Sequence, residues 1–203
     1  MKSTDDNMEK RIQECAEELF INKGYNLTST TEIAKAAGCT QALIHYYFRT
    51  KENLFQKIFS EKINLIIETI AVEEDESLPF PEMLDVRISR LFNFLSENPR
   101  LPFMIFNEFI INQNQRYALK EVIMTSCINS TKRLEEDIEK QIKMGKIRKT
   151  TATDLTLNIF SLVVSFFIYL PFLEDMGIVT EENKDEFIRH RKEDIINTIT
   201  RSL

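Results

Sequence analysis

Glycine, histidine, cysteine and tryptophan are scarce in this 203-residue sequence, with 4 Gly, 2 His, 3 Cys and no Trp. Four glycines, at 24, 38, 145 and 177, cannot form a GxGxxG or Walker phosphate loop. So few turn formers do not suit a turn-dense β-sandwich. There is no HExxH and no GxSxG, and neither His45 nor His190 sits in a recognisable catalytic constellation. The expectation is therefore not an enzyme, with no cofactor and no metal site. Glu186 and His190, four apart, read as a surface helix pair rather than as metal ligands, because no third ligand stands near. Cys15, Cys39 and Cys127 are an odd number with no CxxC spacing, which points to a reducing cytoplasm and to thiols used as small apolar side chains. The opening MKSTDDNMEK is polar and acidic, unlike a secretory or transit peptide.

What is present is an apolar, helical chain. Hydrophobic residues make up 43% and charged residues 29%, enough for a soluble core. The net charge of −6 argues against an indiscriminate polyanion binder. It is unevenly spread. The first 60 residues carry eight cations and eight acids, the rest 18 and 24. Phenylalanine divides as well, 4 of 15 before residue 61 and 11 after. From Leu155 to Leu173 no residue is charged, close to the length of a membrane span. Asn158, Ser161, Ser165 and Tyr169 recur there at helical spacing and form one polar stripe. A buried helix is the better reading, with no membrane partner.

Three- and four-residue periodicity runs almost throughout, and no segment alternates like a strand. The spacing of Ile12, Cys15, Ala16, Leu19 and Phe20 predicts a helix over about 6–23, closed by Gly24. Ser29 to Glu32 forms a capping box that opens a second helix, and Gly38 ends it after two turns. Thr40 can cap a third short helix and Thr50 a fourth that reaches about Ala71. The acidic run 72–77 and Pro79 with Pro81 mark the main boundary. Further helices are expected at 82–97, 100–112, 115–144, 152–172 and 181–202. Pro99 and Pro102, Asn112–Gln113–Asn114, Gly145, and Pro171 with Gly177 punctuate them.

Two short helices about a tight glycine turn make a helix-turn-helix pattern. Small Ala34, Ala37 and Ala42 let the helices cross closely, with Ile33 and Leu43 or Ile44 between them. From Ile33 to Phe59 the cations Lys35, Arg49, Lys51 and Lys57 face one acid, Glu52, so the segment is locally positive. Phe48 and Leu54 read as core, Lys35 as a solvated helix face.

From Thr30 to Phe55 the string TTEIAKAAGCTQALIHYYFRTKENLF resembles the TetR family of bacterial transcriptional regulators. The specific match covers about 55 residues, with glycine, aromatics, lysine and leucine at the family's spacing. The resemblance implies an all-α fold: a three-helix helix-turn-helix domain over 1–50, a connecting helix over 51–72, and a helical effector-binding and dimerisation domain over 73–203. It implies phosphate contacts from Ser29, Thr30 and Thr31. Thr40, Gln41, Ala42 and Leu43 would open the recognition helix, with Gln41 suited to adenine and Ala42 or Leu43 to thymine methyls. His45, Tyr46 and Tyr47 would contact bases or phosphates, Tyr47 more readily than Tyr46. Lys51 matches the family's phosphate-binding lysine. The family more often has tyrosine at the position of His45, which leaves it open between a base contact and a phosphate donor.

The resemblance also implies a small, largely apolar effector and a homodimer on a palindromic double-stranded DNA operator. Candidate effector contacts are Phe103, Phe106, Asn107, Phe109, Asn158, Ser161, Ser165 and Tyr169, among Phe92, Phe94, Phe160, Phe166, Phe167 and Phe172. The stripe on the 152–172 helix stands open between pocket lining and subunit interface. The last two helices are the candidate interface. Repression is the leading expectation. An activator of the same fold, or an all-α ligand-binding or interaction protein without DNA binding, is the alternative.

Overall fold

The computed structural model describes residues 2–70, 78–111 and 113–203, with side chains described except at 2–6, 107–111, 113–119, 122–123 and 125–130. The acidic run expected to mark the boundary, and Asn112, lie outside the described residues. Among these the chain is all helical: α1 (Lys2–Lys23), α2 (Thr30–Ala37), α3 (Gln41–Phe48), α4 (Lys51–Ile70), α5 (Phe80–Glu97), α6 (Leu101–Ile111), α7 (Gln113–Lys143), α8 (Ala152–Asp175) and α9 (Lys184–Arg201). Two compact units emerge, Met1–Asn64 with Met104–Val122, and Leu65–Phe103 with Ile123–Leu203.

In the first unit α1 lays Ile12, Ala16 and Phe20 inward, all fully buried. Ile33, Ala34 and Ala37 of α2 are buried too, as are Ile44 and Phe48 of α3. Leu54, Phe55, Ile58 and Phe59 are the buried face of α4. The Phe20 and Phe55 rings meet edge to face at 5.1 Å, and Tyr25 reaches Phe55 at 4.9 Å. Such pairs add directional preference to the burial of large rings. Lys57–Glu9 at 2.7 Å and Lys62–Glu17 at 2.6 Å fasten α4 to α1. Of the three small residues expected between the short helices, Ala34 and Ala37 are there, but Ala42 is exposed. It falls on the first turn of α3, opposite the side that Ile44 and Phe48 bury.

The second unit packs α5, α8 and α9 together. Phe92 of α5 stacks on Phe166 at 5.6 Å and tilts against Phe167 at 5.0 Å, and Phe187 of α9 completes the cluster at 6.3 Å from Phe166. Lys184–Glu174 at 2.8 Å ties α9 to the end of α8.

Helix α8 departs from expectation twice. It runs through Pro171 to Asp175 instead of stopping at 172, and Gly177, at φ 69°, follows its end. The proline forfeits one backbone bond, but its ring is exposed, while Phe167 and Leu170 hold the same turn in the core. Helix α8 is also long and apolar enough to cross a membrane. The burial expected of it holds for one side only. Ala152, Leu155, Val163, Phe166, Phe167 and Leu170 form its buried ridge, while Leu157, Phe160, Tyr169 and Phe172 are exposed. With about 100° per residue, α5 and α9 can cover only one side. Two of the other prolines obey a positional rule. Pro81 lies in the first turn of α5 and Pro102 is the second residue of α6, where the missing N–H would have no helical partner.

Candidate nucleic-acid interface

The local chemistry of residues 24–51 sets the geometry of the site. Ser29 is the N-cap of α2: its Oγ accepts from the Glu32 N–H at 3.2 Å, and Glu32 Oε2 accepts from the Ser29 N–H at 2.9 Å. Lys23 Nζ donates to Glu32 Oε1 at 2.7 Å. The Lys23 contact first, then the two Ser29 donors, pull the Glu32 carboxyl down to about 2. At the other end of α2, Gly38 takes φ 67°, ψ 36°, the left-handed region that a side chain disfavours. Cys39 N–H donates to Ala34 O at 2.9 Å and Gly38 N–H to Lys35 O at 3.3 Å, the paired bonds that end a helix and redirect the chain. Thr40 then caps α3, accepting from the Leu43 N–H. Cys15 and Cys39 are both half-buried, and burial first, then the neighbouring Cys15, pushes the Cys39 thiol up against the opposing pull of Arg11. The side chain of Cys127 lies outside the described residues.

These caps leave a polar surface uncovered. Ser29, Thr31, Thr40, Gln41, Ala42, His45 and Tyr46 are exposed, while Thr30, Leu43, Tyr47 and Lys51 are half-buried. Gln41 donates through its amide nitrogen to Thr31 Oγ1, so the starts of α2 and α3 are bonded to each other. Tyr46 is the more exposed of the two tyrosines, at 67%, and its ring meets Tyr47 edge to face at 5.1 Å.

Lys51 is more constrained than its sequence position suggests. Its ammonium donates to Tyr25 O and Thr28 O, both at 2.9 Å, and lies 4.1 Å from the centre of the Tyr25 ring. Charge-assisted bonds and a cation–π contact make it a clamp on the loop between α1 and α2. Thr28, buried within that loop, donates to Gly24 O at 2.9 Å. Lys57, counted among the local cations, is neutralised by Glu9 of α1. The positive face is therefore narrower than the sequence count implied, with Lys35 and Arg49 its exposed cations.

Nothing in the sequence marks Arg49 as a special position. It adopts φ 67°, ψ −54°, and Thr50 N–H donates across it to Phe48 O at 2.7 Å, a γ-turn joining α3 to α4. No glycine signals this turn. Thr28 and Tyr25 carry no sequence signal beyond their place after the end of α1.

The expected effector residues lie elsewhere. Phe103 and Phe106 are exposed, at 57% and 47%. Asn158, Ser161 and Tyr169 are exposed on α8, and Ser165 is half-buried. The side chains of Asn107 and Phe109 lie outside the described residues.

Residues 12–58 match the family of bacterial regulatory proteins called the tetR family. Over those residues the chain is similar in sequence to that family's helix-turn-helix segment. It is 44% identical over 54 residues to the HTH-type transcriptional regulator QacR of Staphylococcus aureus, a match covering 27% of this chain and 29% of that one. It is 27% identical over 157 residues to the fatty acid metabolism regulator protein of Bacillus subtilis, covering 70% of this chain and 81% of that one. The fold also matches the transcriptional regulator FadR of Bacillus subtilis in complex with stearoyl-CoA, with a TM-score of 0.72, 19% identity, and coverage of 96% and 98%. Similarity is thus strongest across the helix-turn-helix segment, while the fold is shared over nearly the whole chain. These relatives are regulators by name, not enzymes.

Proposed function

We propose that the chain is a ligand-responsive repressor that binds a palindromic operator as a homodimer in the cytoplasm. The exposed polar start of α3, braced to α2 through Gln41 and Thr31, carries this reading. A short helix presented by its N-terminal end suits the major groove. Ser29, Thr30 and Thr31 would meet phosphates, with Thr40, Gln41, Ala42, Leu43, His45, Tyr46 and Tyr47 at or beside the bases. Lys51 would act mainly by fixing the loop before α2, adding its charge to the phosphate field.

One recognition helix reads too few base pairs for specific binding, whereas a twofold dimer places two in successive major grooves. The uncovered side of α8, with Leu157, Phe160, Tyr169 and Phe172, supports a second copy as its cover. On this reading Asn158, Ser161, Ser165 and Tyr169 belong to the subunit interface rather than to the effector. Residues 1–50 serve as the DNA reader, 51–72 as the connecting helix, and 73–203 as the effector and dimerisation region.

The effector candidates are then the α6 residues Phe103, Phe106, Asn107 and Phe109. An effector with a long apolar chain is supported by the fatty acid metabolism regulator among the relatives. It would favour dimers whose recognition helices are wrongly spaced for the operator. Stearoyl-CoA is the probe. Added to the chain bound to DNA from upstream of its own gene, it should weaken binding at fixed salt. Unchanged affinity would overturn the effector class, and a promoter assay showing activation would overturn repression.

A further inference from the structure

Helix α3 contains neither arginine nor lysine. It therefore lacks the donor for the commonest specific contact, a cation bound to guanine O6 and N7. Its exposed polar groups belong to Gln41, His45 and Tyr46. Among these His45 is held in an informative way. Its Nδ1 lies 2.8 Å from the carbonyl oxygen of Arg49. A carbonyl only accepts, so Nδ1 carries the proton. In the neutral ring Nε2 then offers a lone pair, and no hydrogen bond holds it among the described residues.

The tautomer is set by the backbone. Arg49 N–H donates to His45 O at 3.0 Å, while the γ-turn centred on Arg49 holds its carbonyl toward the imidazole. Ring and turn brace one another. Gln41, four residues earlier, lies on the same side of α3 and about 6 Å away along the axis. Its amide nitrogen is engaged by Thr31, which leaves Oε1 as an acceptor. Base pairs are stacked about 3.4 Å apart, so the two acceptors stand roughly two steps apart along the groove.

We infer that His45 is a specificity-determining residue that accepts a hydrogen bond from an exocyclic amino group, adenine N6 or cytosine N4, in the major groove. The inference rests on the DNA-binding reading above and adds which chemical edge is read. Guanine and thymine present only acceptors there and would meet the Nε2 lone pair head on. The operator half-site would thus carry an adenine or cytosine about two steps from the base that Gln41 reads.

The test is selection from a randomised duplex library by the full-length protein at mildly alkaline pH. The chain as it stands, His45→Phe and His45→Gln are compared. The unaltered chain should select adenine or cytosine at one position of each half-site. His45→Phe, which removes the acceptor, should lose roughly tenfold in discrimination at that position alone. His45→Gln, which keeps an acceptor, should retain it. A His45→Phe protein that weakens on every sequence equally, with a salt slope smaller by about one, would make His45 a phosphate contact and overturn the inference. An unchanged preference would overturn it too. If the unaltered chain selected no sequence at all, the DNA-binding reading itself would fall.

Discussion

Helices α3 and α8 both leave a face uncovered, and the two faces differ in chemistry. The uncovered face of α3 carries Gln41, His45 and Tyr46, and that of α8 is mainly apolar, with Leu157, Phe160 and Phe172 beside the polar stripe of Asn158, Ser161 and Tyr169. A polar face with hydrogen-bonding groups gains most from a partner that presents donors and acceptors in a groove. An apolar face gains most from another apolar face, at roughly 25 cal/mol per Å² of surface removed from water. The same secondary structure thus serves two kinds of partner, and side-chain chemistry separates them. The cores behind the two faces also differ. The first unit closes on Phe20, Phe55 and Phe59, the second on Phe92, Phe166 and Phe167.

Phe55→Ala should have the largest effect on this contrast. Removing a fully buried ring that touches Phe20, Tyr25 and Phe59 should cost about 3–5 kcal/mol and abolish DNA binding, as read by thermal melting and gel shift. Next comes the double change Leu157→Glu with Phe160→Glu. It should leave helicity intact but yield a monomer by sedimentation, and lower affinity for a two-half-site duplex by roughly a hundredfold or more. A dimer that persisted would remove α8 from the interface.

Lys51→Met should cost about 1–3 kcal/mol, since it breaks two charge-assisted bonds to loop carbonyls. Its salt slope separates clamp from contact, because losing a phosphate contact lowers the slope by about one and losing a clamp does not. Gly38→Ala should cost about 1–2 kcal/mol from φ 67° alone, because an added Cβ meets only Arg11 Nη2 at an ordinary 3.6 Å. Smallest is the pH effect at Glu32. Its folded value of about 2 lies below the ordinary 4.5. The resulting stabilisation is complete above 4.5 and is lost as pH falls toward 2. Urea melts across that window should show Glu32→Gln losing part of the acid dependence.

The first unit was largely legible because its signals are local. Ser29 with Glu32, Gly38 and Thr40 act within a few residues, so their spacing was enough to place α2 and α3. Phe48 and Leu54 followed from periodicity and are buried. What could not be read depends on partners distant in the sequence or on the backbone. Lys51 looked like a free cation because its bonds run to Tyr25 and Thr28, more than twenty positions away. The γ-turn at Arg49 has no glycine to announce it. Pro171 looked like a stop because the core contacts of Phe167 and Leu170 are not written beside it. The phenylalanines after residue 61 looked alike, yet Phe92, Phe166 and Phe167 fill the core while Phe160 and Phe172 are exposed. Periodicity marks an apolar face without saying what covers it.

The most direct test is fluorescence anisotropy of a labelled duplex from upstream of the gene, titrated with the full-length protein over a salt series. The expected result is two chains per duplex, affinity that falls steeply with salt, and its loss in Gln41→Ala. Saturation by one chain, or binding insensitive to salt and to Gln41→Ala, would contradict a dimeric reader working through α3.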